Sequence, residues 1–363
     1  MIYSCSLEFD RALTAEQQAN ALREAGFTHC FLTWGLAGEG IGKVAAAHKA
    51  GLTVETIHAS YPGCNEMWLE GEVGEARLQY FLDCVRGTAM IGAKTMILHV
   101  SSGHQPPEMC ELAVQRFQKV CDEGERLGVN IAFENLTNIH YLHYIMERVH
   151  SPAKKYCYDC GHENLYYKND GVLERYSPLL VAIHLHDNAG DHDTHLLPFT
   201  ASIDFDRVAK RLAAVRFPEN PYAIWYAPDP ALSDCNLVGT ASNEPDHADI
   251  SPCTTPGASA CLTPDHVGNP SALASHTPDH VGNLSTLASH TPDHVGNPGS
   301  LAFCAPDHIG ASACAPAGDE FPIPITLELK ANGSDPDLAR RAFAAATRIG
   351  ELVKKYRNET LTK

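Results

Sequence analysis

Histidine and carboxylate residues recur at the ends of short apolar runs: His58, His99, Glu134, Asp159 with His162 just beyond, His184 and His186, and Glu328. Asp193 and His195 follow in the segment after the His184 run. Imidazole nitrogens and carboxylate oxygens suit manganese, zinc, cobalt, magnesium or a similar divalent ion, and donors drawn from separate runs can converge without being adjacent in sequence. A single His or Glu near a strand end is more often a hydrogen-bonded structural group. Recurrence at run after run is different. Ionisable side chains are seldom buried unpaired, so a mouth lined with carboxylates and imidazoles requires a compensating cation.

Thiols are not needed at such a site. Cys157 and Cys160 form a Cys-x-x-Cys, but they flank Asp159 within an expected strand and have no second pair at zinc-ribbon spacing. The 13 cysteines are scattered through a long chain whose first residues show no export signal, so reduced, buried thiols are expected.

The elements that must position the donors follow from the runs themselves. Candidate strands are Ile2–Phe9, His29–Trp34, Thr53–Ala59, Thr95–Val100, Asn130–Glu134, Lys155–Asp159, Val181–His186 and Ile325–Leu329. Amphipathic helical patterns lie between them, among them Ala15–Ala25, Gly74–Ile91, Cys110–Leu127, Phe205–Val215 and Asp337–Tyr356. Eight strands with crossover helices predict an α/β fold, a closed (β/α)8 TIM barrel, in preference to a doubly wound sheet. Such barrels carry their reactive groups at the C-terminal ends of the strands, where these donors fall.

One stretch breaks the pattern. Ala227–Glu320 is rich in Pro, Gly, Ser, Thr and Asn, and contains a 14-residue repeat at Thr263–His276, Thr277–His290 and Thr291–Cys304. It shows neither helical nor strand periodicity and reads as a disordered insertion between the seventh helix and the eighth strand. The expected organisation is therefore 1–226 for strands one to seven, 227–320 for the insertion, and 321–363 for strand eight and the C-terminal helix. An insertion at an αβ connection lies on the face opposite the site. Its Asp-His pairs are explained by tandem duplication without a metal-binding role.

The formal charge of −17 is uneven: no Lys or Arg occurs between Arg216 and Lys330, and that span holds 13 Asp and Glu, leaving −4 for the rest. Bulk charge therefore decides little about partners. No basic stripe or Arg-rich loop is visible near the strand ends, so nucleic acid is not an expected partner. No run approaches the roughly 20 apolar residues of a membrane span. A cytoplasmic protein is expected, and a homo-oligomer is compatible with the sequence.

The motifs Ile57-His58-Ala59-Ser60-Tyr61, Leu98-His99, Phe133-Glu134-Asn135, Tyr158-Asp159-Cys160-Gly161-His162, His184-Leu185-His186-Asp187-Asn188, Asp193-Thr194-His195 and Leu327-Glu328-Leu329 occur in an order and spacing that resembles the xylose isomerase-like barrel superfamily. That group includes sugar isomerases and epimerases and endonuclease IV. The resemblance to its epimerases implies one metal held by Glu134, Asp159, His184 and Glu328, with His186 as the alternative to His184. It further implies a sugar or sugar-phosphate substrate, an enediolate stabilised by the metal, Glu134 and Glu328 moving protons, and His162 orienting a substrate oxygen. The resemblance to endonuclease IV implies instead a multinuclear phosphodiesterase site that adds His58, His99, His162, Asp193 and His195 to the ligands. A binding protein or non-catalytic remnant that retains metal is a third reading.

Overall fold

The computed structural model describes residues 1–34, 40–168, 171–217, 321–331 and 335–361. Its strands are β1 (Tyr3–Ser6), β2 (His29–Trp34), β3 (Thr53–Ala59), β4 (Thr95–Leu98), β5 (Asn130–Glu134), β6 (Lys154–Asp159), β7 (Leu180–His184) and β8 (Ile325–Leu327). The helices are α1 (Ala15–Ala25), α2 (Gly40–Lys49), α3 (Glu72–Met90), α4 (Glu111–Leu127), α5 (Ile139–Arg148), α6 (Cys160–Tyr166), α7 (Val172–Tyr176), α8 (Phe205–Ala214) and α9 (Leu338–Leu361). The sheet runs β7-β6-β5-β4-β3-β2-β1-β8, with parallel pairing throughout. A parallel bridge from Leu185 to Leu327 closes the ring. Leu185 N–H donates to Thr326 O at 3.0 Å, and Glu328 N–H to Leu185 O at 3.2 Å. The fold is the expected (β/α)8 barrel.

Strand alternation sorts the side chains. At the C-terminal ends of β4 to β7, His99, Glu134, Asp159 and His184 share the inward face. Two residues lower on each strand, Ile97, Ala132, Cys157 and Ala182 form one small buried cluster. Below that, Asn130 Nδ2 donates to Thr95 Oγ1 at 3.2 Å. The intervening Met96, Phe133, Tyr158 and Ile183 face outward into the helix-covered core. Phe133, for instance, meets Phe117 of α4 edge-on at 5.7 Å.

The α1 helix starts at a capping box in which Thr14 accepts from Gln17 N–H and the Gln17 side chain accepts from Thr14 N–H. Arg116 of α4 is buried, and its guanidinium donates to Met67 O, Leu69 O and Glu75, holding the chain between β3 and α3.

The expected insertion, 227–320, lies outside the described residues. The described chain on either side of it meets: the Phe217 and Phe321 rings pack edge-on at 5.4 Å, and the Arg357 guanidinium of α9 lies 6.0 Å from each. Ile325, which opens β8, pairs with Tyr3 at the start of β1, so the chain re-enters at the N-terminal ends of the strands. The eight described cysteines are free, and burial pushes the Cys157 and Cys160 thiols well above their ordinary range. Among the described residues no helix is long and apolar enough to cross a membrane.

Candidate metal centre

Strand ends are floppy unless something pins them, and here each donor strand is tied to a neighbour. Ser60 N–H, after β3, donates to Tyr80 Oη at 2.9 Å, and that hydroxyl donates to Trp34 O at the end of β2 at 2.7 Å. Trp68 Nε1 donates to Val100 O at 2.7 Å, beyond β4. The Asn135 amide grips the Asp159 backbone, donating to its O and accepting from its N–H, both at 2.8 Å. After β7, Asp187 accepts from the Thr200, Ala201 and Ile203 N–H groups at 3.0, 2.8 and 3.0 Å, folding the loop that carries Asp193 and His195. Ligand geometry is set by such outer contacts as much as by the donors themselves.

All ten residues singled out from the sequence gather at this mouth, in three donor groups that each place one ligand atom per residue within 4.8 Å of the others. Glu134, Asp159, His184 and Glu328 form the first. His184 Nδ1 lies 3.1 Å from Glu134 Oε1, 3.0 Å from Glu328 Oε2 and 4.0 Å from Asp159 Oδ2. His58, His99 and Glu134 form the second, with the two Nε2 atoms 3.2 and 3.0 Å from Glu134 Oε2. His162, His186, Asp193 and His195 form the third.

His184 and His186, alternatives from sequence, have separate places. His186 Nε2 lies 3.2 Å from Asp159 Oδ2, and its ring stacks on His195 at 4.0 Å, linking the first group to the third. Gly161 makes room for it, since a Cβ there would sit 2.0 Å from His186 Cε1. Asp159 also caps α6, accepting from His162 N–H through Oδ1 at 2.6 Å, which leaves Oδ2 facing His186.

Backbone carbonyls decide which imidazole nitrogens are bare. His58 Nδ1 lies 2.8 Å from Ala59 O, His162 Nδ1 3.0 Å from Asn135 O and His195 Nδ1 3.1 Å from Glu328 O. A carbonyl can only accept, so Nδ1 carries a proton, and Nε2 is the nitrogen left to take a second proton or a cation. Those Nε2 atoms face carboxylate oxygens: Glu134 Oε2 at 3.2 Å from His58, and Asp193 Oδ2 at 3.5 and 3.0 Å from His162 and His195. Acceptor against acceptor is repulsive unless a proton or a cation lies between them. The donor set therefore fits divalent cations, and it does so in more than one group.

The titration shifts have the same origin. Burial alone would raise Glu134 and Glu328, but nearby imidazoles, His184 foremost, hold both well below the ordinary carboxylate range. Burial alone would depress His184 and His162, but Glu328 and Glu134 around the first and Asp159 and Asp193 around the second hold them well above 6.5. His99 is lowered, burial outweighing its contact with Glu134.

Above the donors opens a cavity of about 780 Å³. Glu328, His58, His99, His162, Asp193 and His195 line it. Glu134, fully buried, does not: His58 and His99 take one of its oxygens and His184 the other.

Sequence reading passed over several residues that complete the site. Glu55 is the extra residue of a β3 bulge opposite Cys30/Phe31; it accepts from Thr326 Oγ1 across the barrel at 2.7 Å, and desolvation pushes its carboxyl up to about 7. Arg11, Lys43 and Lys330 line the cavity from three separate segments. Each cation lies a short step beyond a strand, but nothing in the sequence says that the three share a wall.

A family profile described as xylose isomerase-like TIM barrel matches residues 19–231. An uncharacterized protein of Sinorhizobium fredii, y4fM, is 28% identical over 239 residues, covering 54% of this chain and 76% of its own. The solved structure of an L-ribulose 3-epimerase superposes with a TM-score of 0.50 at 18% identity, covering 59% of this chain and 78% of that one. A D-tagatose 3-epimerase-like protein gives 0.50 at 19%, covering 58% and 86%. At these identities the two structural likenesses bear on the fold.

Proposed function

Since this chain belongs to the xylose isomerase-like TIM barrel family, we propose that it is a divalent-metal-dependent sugar or sugar-phosphate isomerase or epimerase. The observation that supports it most directly is the four-donor set Glu134, Asp159, His184 and Glu328 beneath the cavity, with Glu328 alone of the four lining it. Manganese, zinc, cobalt or magnesium held there supplies the positive charge that an enediolate needs, the larger requirement because a carbon-bound proton beside a carbonyl is only weakly acidic.

The protein's own groups do the rest. Glu328, whose carboxylate lines the cavity, takes the proton from the carbon beside the substrate carbonyl and returns it. His162 presents Nε2 to the cavity and orients a substrate oxygen, its ring fixed by Asn135 O. Glu134 serves first as a ligand, and moving a proton itself would require its release from His58 and His99. The fold likeness to an L-ribulose 3-epimerase and a D-tagatose 3-epimerase-like protein is in keeping with a ketose substrate.

Glu328→Gln tests this reading. It should cut turnover by about 10²–10⁴-fold, the usual range for losing an acid–base group. It should likewise stop solvent deuterium from entering the substrate carbon while the melting temperature stays within a few degrees. A fully active variant removes Glu328 from the mechanism.

The Nε2 atoms of His58, His162 and His195, each facing a carboxylate, favour a second reading, a multinuclear site hydrolysing a phosphodiester. Metal content decides between them, measured by elemental mass spectrometry on protein purified without a metal-affinity tag. About one ion per chain supports the isomerase. Two or three zinc ions with cleavage of abasic-site DNA support the hydrolase.

A further inference from the structure

We propose that the wall of the cavity next to β8, β1 and β2 is an anion subsite, formed by Arg11, Lys43 and Lys330, which seats a phosphate or carboxylate at the end of the substrate away from the reacting carbons. The sugar part of this inference rests on the isomerase reading; the anion part does not.

Three features carry it. The first is local charge. Besides Asp193 and Glu328, which belong to the donor groups, the one other carboxylate lining the cavity is Glu8, and it is paired with Lys43. Arg11 and Lys330 make no ion pair with a carboxylate among the described residues. Two uncompensated cations beside a low-dielectric cleft focus a positive potential into it.

The second is that the cations stand on pinned backbone. Lys330 N–H donates to His195 O at 3.2 Å, and Ala331 N–H to Phe9 O at 2.7 Å. Arg11 sits in a turn held by Asp10, whose N–H donates to Gln18 Oε1 at 3.1 Å and whose Oδ1 accepts from Ala12 N–H at 2.9 Å. Only the two exposed side chains, and not the backbone that carries them, then have to order around an anion.

The third is the opposite wall, which is neutral. Ser60, Ser101, Ser102 and Thr137 line it, with Tyr61 stacked on His99 at 5.2 Å. Ser101 is buried, and its Oγ has no hydrogen-bond partner among the described residues. A substrate with hydroxyls toward Ser60, Ser102 and Thr137, reacting carbons above Glu328 and an anion toward Arg11 and Lys330 suits these walls.

Calorimetric titration of the metal-loaded full chain tests the subsite independently of turnover. The probes are ribulose 5-phosphate against ribulose, glucuronate against glucose, and inorganic phosphate alone. The unmodified protein should bind at least one anionic sugar about tenfold more tightly than its neutral partner, and the preference should fall with salt. The double variant Arg11→Ala/Lys330→Ala should lose that preference. Preference for phosphate or for carboxylate identifies which anion is taken.

Equal affinity for neutral and anionic sugars overturns the proposal, as does a preference that survives the double variant, since the anion would then bind at the metal donors. Tighter binding of an abasic-site duplex than of any small anion overturns it as well. If no sugar binds but inorganic phosphate does, and the double variant abolishes it, the subsite stands and the sugar reading falls.

Discussion

Glu134 joins the first two donor groups, and both of its oxygens are faced by imidazoles. Its surroundings fix the sign of the pH response. His184 and His162 are held well above 6.5, so without metal the stability they contribute is complete below that value and is lost as pH rises through their folded values. Glu134 and Glu328 are held well below 4.5, so theirs is present above that value and lost as pH falls through the folded ones. For these four groups, the metal-free protein is most stable between 4.5 and 6.5. A metal displaces the imidazole protons, so metal affinity should rise with pH from about 5 to 8, with protons released on binding. Titration calorimetry in buffers of different ionisation enthalpy reads that release; affinity independent of pH would contradict it. At this scale the donors were legible in sequence because a strand's last inward residue is a position that spacing reveals. The cations of the cavity wall were not, because Arg11, Lys43 and Lys330 belong to three segments that meet only when the ring closes.

Elements hold these residues through contacts that no local pattern announces. The helix α6 starts with Gly161 packed under the His186 ring, and Gly161→Ala would drive a methyl into Cε1. Overpacking of this kind costs about 1–3 kcal/mol, so the variant should unfold at lower denaturant and bind less metal in the group containing His186. An unchanged denaturation midpoint would mean that the ring shifts freely. Arg116 offers a contrasting case. Arg116→Ala would strand two carbonyls and remove a buried cation, and should destabilise the fold by roughly 2–4 kcal/mol, with Arg116→Lys recovering only part because it lacks the planar fork. Chemical denaturation checks both. The strands were legible from alternation of apolar runs with amphipathic stretches. The β3 bulge that turns Glu55 inward was not, because an extra residue in a strand leaves the surrounding hydrophobic pattern almost intact.

On the scale of the molecule, the barrel is complete without residues 218–320, since Phe217 and Phe321 already touch beneath Arg357. Deleting Ala227–Glu320 should therefore leave metal content and activity in place. Shortening a disordered connection of the kind its composition predicts, from roughly 100 residues to about nine, should also stabilise the fold by about 2 kcal/mol of loop-closure entropy. A deletion variant that fails to fold would assign the segment a structural role.

The strand that seals the ring, bonded to Leu185 on one side and to β1 on the other, leaves the ribosome after the seven strands it joins. At ordinary synthesis rates, roughly 5–20 s separate Phe217 from Phe321. During that interval the nascent molecule is an open sheet with β1 and β7 as unpaired edges, each a template for a neighbouring chain. The length of the connection thus sets how long those two edges stay open during synthesis.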